Sequence, residues 1–96
     1  MNRRVKIERS SGNVFTDLGF PKAEAENLML RSELMSEIRE LARGMTQAKA
    51  AKRFGITQPR LNDLLRGKID KFSLDALVNM IAAAGLHVQL RVRNVA

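Results

Sequence analysis

The stretch MTQAKAAKRFGITQPRLNDLLRGK, Met45–Lys68, decides how this chain is read. Its apolar residues keep helical spacing, and Gly55 and Gly67 divide and end it. Thr46 is a good N-cap for a helix from Gln47 to Phe54, stopped by Gly55. Thr57 caps a second helix, with Gln58 and then Pro59 in its first turn, where the N–H that proline lacks is not needed. That helix buries Leu61, Leu64 and Leu65 and ends at Gly67.

Two short helices meeting at a wide angle need a small residue where they cross, and Ala51 stands there. The turn between them needs a residue that accepts positive φ, and Gly55 follows four positions later. Ala50, Phe54, Ile56, Leu61 and Leu64 fall at the offsets that hold the pair against the rest of a domain. The spacing therefore predicts a helix-turn-helix over about residues 46–66.

In this motif the second helix enters the major groove with its N-terminal residues facing base edges, which assigns roles to the polar side chains. Gln58 can pair bidentately with adenine N6 and N7. Arg60 can take guanine O6/N7 or a phosphate. Asp63 can accept from cytosine N4 or orient Arg60 three positions earlier, and Pro59 offers a flat apolar surface to a thymine methyl. Thr57 lies beside these base-facing positions at a helix start, where it and Gln47 can also grip phosphates alongside backbone N–H groups. Lys49, Lys52, Arg53, Asn62, Arg66, Lys68 and Lys71 are candidate phosphate contacts, the cations adding an attraction that weakens with salt.

The charge distribution agrees. The chain carries a formal net charge of +7, which points to a polyanionic partner. Residues 44–72 hold seven Lys/Arg against two Asp, a net of +5, so most of the excess lies in the third containing the helix pair.

Working outward, Pro21 suits the first turn of a long helix reaching Arg43, with Glu24 and Glu26 near the positive end of its dipole. Leu30, Leu34, Ile38, Leu41 and Met45 recur at steps of four, four, three and four and define its apolar face, with Met29 and Met35 off it. Downstream, Ser73 caps a helix in which Leu74, Leu77, Val78 and Ile81 repeat, ending at Gly85. The tail then changes period: Leu86, Val88, Leu90 and Val92 alternate with polar residues, which predicts a half-buried strand over about 86–93. A lone strand is not stable. It must pair with the arm around Val5–Ile7, with the same strand of a second subunit, or with another protein. Residues 1–20 read as an N-terminal arm, partly irregular, with room for one short strand, and residues 21–96 as the DNA-binding domain.

At 96 residues the chain is one domain, with an aliphatic core: four Phe, no Trp and no Tyr. The absence of cysteine excludes disulfides and thiolate metal sites. No apolar run is long enough to span a bilayer and none follows the basic N-terminus as a signal peptide would require, so a soluble, cytoplasmic protein is expected. The single histidine, His87, has no acid cluster at ligand spacing beside it. Without a glycine-rich phosphate loop, a triad or paired acids, neither an enzyme nor a cofactor is expected.

The segment MTQAKAAKRFGITQPRLNDLLRGK resembles the phage-repressor-like helix-turn-helix proteins, the xenobiotic-response-element (XRE) family, and is more similar to a subgroup that includes HigA-type antitoxins. The resemblance extends upstream through SSGNVFTDLGFPKAEAENLMLRSELMSEIREL and downstream through FSLDALVNMIAAAGLHVQLRV, covering about residues 10–93. It implies an all-α, lambda-repressor-like bundle of four to five helices with a short C-terminal β-strand, dimerising on a palindromic operator in double-stranded DNA. Its base-reading positions fall on Gln58, Pro59 and Asp63, with Thr57 and Arg60 beside them, and its phosphate-gripping positions on Gln47 and the loop around Lys68 and Lys71. Such antitoxins also bind a small RelE/HigB-like toxin encoded in the same operon. Two surfaces are candidates for that partner or for a homodimer: the arm with Val14, Phe15, Leu18 and Phe20, and the tail strand with Leu86, Val88, Leu90 and Val92.

The expected function is thus a bacterial or phage transcriptional repressor that is also an antitoxin. The alternatives are a regulator with no toxin and an interaction protein whose helix pair is only scaffold.

Overall fold

The computed structural model describes the backbone of residues 4–7 and 13–94 and the side chains of 13–94. The elements run in the order β1 (Arg4–Ile7), α1 (Val14–Asp17), α2 (Lys22–Ala42), α3 (Gln47–Phe54), α4 (Gln58–Leu65), a 3₁₀ turn (Ile69–Lys71), α5 (Leu74–Ala83) and β2 (His87–Leu90). This is a small helix-turn-helix bundle, with five α-helices among the described residues and a short C-terminal strand.

The tail strand finds its partner within the chain. β1 and β2 pair in parallel, Arg4 opposite His87, Val5 opposite Val88, Lys6 opposite Gln89 and Ile7 opposite Leu90. Parallel strands require a long crossover, and here the whole helical bundle provides it. A two-stranded sheet needs a further layer to be stable. α2 packs against β1 and α5 against β2.

Residues 13–20 are more regular than their composition suggests. Asn13 within SSGN is an N-cap, its Oδ1 accepting from the Phe15 N–H at 2.9 Å, and this starts α1. Its Nδ2 donates to Ala25 O at 3.1 Å, fastening the arm to the first turn of α2. Residues 8–12 lie outside the described residues.

Leu34, Ile38, Phe54, Leu61, Leu64, Phe72, Leu77 and Ile81 are fully buried and form the centre of the core. Met35, read from the sequence as off the apolar face of α2, is buried as well, at 3% exposure. The reason is that α2 packs against α5, α4, the 3₁₀ turn, α1 and β1, so its apolar stripe is wider than one neighbour would require. Leu30, Leu41 and Met45 sit at the margin of the core instead.

Candidate nucleic-acid interface

The two central helices form from local chemistry. Thr46 is extended and its Oγ1 accepts from the Lys49 N–H at 3.2 Å, starting α3. Thr57 repeats the arrangement for α4, accepting from the Arg60 N–H at 3.3 Å, with Pro59 in the first turn. Between them Gly55 takes φ +70°, and the Ile56 N–H donates to Ala51 O at 3.0 Å. Ala50, Ala51, Phe54, Leu61 and Leu64 are buried, fixing both helices to the core; Ile56 is only half-buried.

Burial of that face directs the rest outward. Thr57, Gln58 and Pro59 are exposed at the start of α4, with Asn62 and Asp63 half-buried one turn later and Arg66 exposed at its end. Gln47, Lys49, Lys52 and Arg53 are exposed on α3, and Lys71 is exposed and Lys68 half-buried in the segment after α4. The Arg53 guanidinium lies 6.0 Å from the Phe54 ring centroid, at the outer limit of a cation–π contact.

Two of the polar residues have partners that spacing did not identify. Arg60 turns back from the start of α4: its Nη1 donates to Lys71 O at 3.1 Å, and its guanidinium carbon lies 4.4 Å from the Phe72 ring centroid. Asp63 is not paired with Arg60. Its Oδ1 meets Lys68 Nζ at 3.2 Å and its Oδ2 meets Lys71 Nζ at 3.5 Å. The hydrogen bond from Lys68, with the charges of Lys68 and Lys71, holds its carboxyl below the ordinary aspartate range.

A third residue, Arg31 of α2, gave no signal in the sequence. Its Nη1 donates to Ile69 O at 3.2 Å and Phe72 O at 3.4 Å. The segment after α4 is therefore held through its carbonyls from two sides, by Arg31 and Arg60, while Phe72 anchors it in the core.

The tail positions divide. Leu86 is buried and Val88 half-buried, both packed against the core. Leu90 and Val92 are exposed, at 55% and 87%. Val14, Leu18 and Phe20 make a second exposed apolar group, where the Phe20 ring meets Phe15 edge-on with centroids 6.1 Å apart. No helix among the described residues is long and apolar enough to cross a membrane.

Compared with curated proteins, the chain has no match. A family described as the helix-turn-helix domain matches residues 14–93, from the start of α1 to beyond β2. The match spans the capped helix pair, its supporting helices and the tail strand, and the chain belongs to the helix-turn-helix domain family.

Proposed function

We propose that the protein is a sequence-specific DNA-binding transcriptional repressor that presents the start of α4 to the major groove of a palindromic operator as a homodimer in the cytoplasm. One observation carries this reading. Thr57, Gln58 and Pro59 are exposed on a helix whose opposite face, Leu61 and Leu64, is fully buried, and cations of α3 and the 68–71 segment flank them. Exposed polar groups on a rigid helix read bases, and a basic surround binds phosphate without regard to sequence. Gln58 is the base reader, Pro59 meets a thymine methyl, and Gln47, Lys49, Lys52, Arg53 and Arg66 contact the backbone.

The test is to recover the operator from random duplexes and compare the wild type with Gln58→Ala. Losing the contact costs roughly 1–3 kcal/mol and relaxes specificity at one base position. Unchanged operator affinity would remove Gln58 from that role.

The antitoxin reading, with a RelE/HigB-like toxin as partner, draws on the resemblance and on the exposed Val14, Leu18 and Phe20, an apolar group suited to a protein partner. Co-expression with a small basic protein from the neighbouring reading frame tests it. A stable complex weakened by Leu18→Glu supports the antitoxin; the absence of such a gene leaves a stand-alone regulator.

A further inference from the structure

An acid on the DNA-facing side of a recognition helix is repelled by phosphate, yet Asp63 sits there with each carboxylate oxygen against a lysine. We infer that Asp63 is an internal stand-in for a DNA phosphate: in the free protein it holds Lys68 and Lys71, and on binding the backbone phosphates take both lysines from it. The inference rests on the DNA-binding reading above and extends it to how the protein discriminates between sites.

The geometry separates this role from a structural one. The 69–72 segment is already held by Arg31 on Ile69 O and Phe72 O, by Arg60 on Lys71 O, and by the fully buried Phe72 ring. The Asp63 carboxylate meets the side chains of Lys68, just before that segment, and Lys71 within it, which are 39% and 50% exposed and so lie within reach of solvent and of a phosphate. Exposed ion pairs are weak, so exchanging one acid for another costs little. The exchange leaves the carboxylate without its cations. At a site that presents a cytosine amino group it accepts that N4–H and is compensated. At other sites it remains an unpaired charge against the groove and penalises binding. Asp63 therefore lowers affinity for DNA in general and sharpens the preference for the right site.

The experiment measures binding to a random-sequence duplex over a range of salt for the wild type, Asp63→Asn and Asp63→Ala, and repeats Asp63→Ala in a Lys68→Ala/Lys71→Ala background. Removing the carboxylate should tighten random-duplex binding several-fold and make the slope of log K against log salt more negative by about 0.9, because no stranded carboxylate then offsets one of the two neutralised phosphates. In the double-lysine background the same substitution should change the slope much less, because no lysines remain to be released. Unchanged or weaker random-duplex binding, or an equal effect in both backgrounds, overturns the inference while leaving DNA binding intact. A wild-type protein that binds no duplex overturns both. Asp63→Asn, nearly isosteric, keeps the test valid if the alanine variant folds poorly.

Discussion

Arg60 and Phe72, twelve positions apart in sequence, are in cation–π contact, the guanidinium carbon 4.4 Å from the ring centroid. The same guanidinium donates to Lys71 O, so one side chain of α4 ties the helix to the segment leading into α5. Replacing Arg60 with alanine should lower stability by about 1–2 kcal/mol, combining a cation–π contact with an exposed hydrogen bond. Lysine should recover only part of this, because an ammonium neither stacks on a ring nor forks. Urea denaturation of the three proteins measures it, and equal midpoints would show that the contact contributes nothing in solution.

Gly55 has a different sensitivity. A Cβ added there would meet Ala83 Cβ at 3.5 Å, an ordinary van der Waals distance, so space is not the obstacle. The obstacle is φ +70°, which costs an L-residue roughly 1–2 kcal/mol. Gly55→Ala should destabilise by that amount and no more. A much larger loss in the same denaturation experiment would mean that α3 and α5 pack more tightly than this separation indicates.

Leu61 and Leu65 lie one turn apart on α4 but differ in burial, Leu61 fully and Leu65 only partly. Leu61→Ala should cost roughly 2–5 kcal/mol, as for other fully buried leucines, and Leu65→Ala distinctly less. Comparable losses at the two positions would contradict the orientation of α4, and with it the outward direction of Gln58.

The pH dependence follows from Asp63. Its carboxyl pKa is lowered in the folded state by the hydrogen bond from Lys68 and by the two lysine charges. A lowered folded pKa means that its contribution to stability is present above the unfolded value, roughly 3.9, and is lost as pH falls through the folded one. The small stability difference between wild type and Asp63→Asn should therefore be constant at neutral pH and vanish only below about pH 4. Melting curves across that range check it; a difference that disappears near pH 6 would assign the effect to another group.

Deleting residues 1–7 removes β1 and leaves β2 without its partner. Amide exchange at His87–Leu90 should then accelerate strongly while the core amides of α2 and α4 stay protected. If β2 remained protected in a monomer, its protection would come from packing on α5 alone. Protection that depends on protein concentration would instead identify a second copy on the strand.

The sequence by itself determined whatever has a local cause. Thr46, Thr57 and Ser73 each accept a hydrogen bond from the third residue beyond them, and Gly55 adopts the positive φ that ends α3. These interactions lie within one helical turn, so residue type and spacing are enough to find them. The split of the helix pair into a buried Leu61/Leu64 side and an exposed Gln58/Pro59 side follows equally from helical periodicity.

Only the tertiary structure decided the partners of residues whose neighbours come from elsewhere in the chain. Met35 is buried because α2 has several neighbours. β2 pairs with β1 because the bundle returns the tail to the arm, bringing positions more than eighty residues apart into register. Arg60 and Asp63 are the same polar residues in either reading, but a cation with a flexible stem takes the nearest ring and carbonyl, and a carboxylate the nearest ammonium groups. Which those are depends on where the chain goes after α4, and on Arg31 of α2 and the buried Phe72, which bring Lys68 and Lys71 within reach of Asp63.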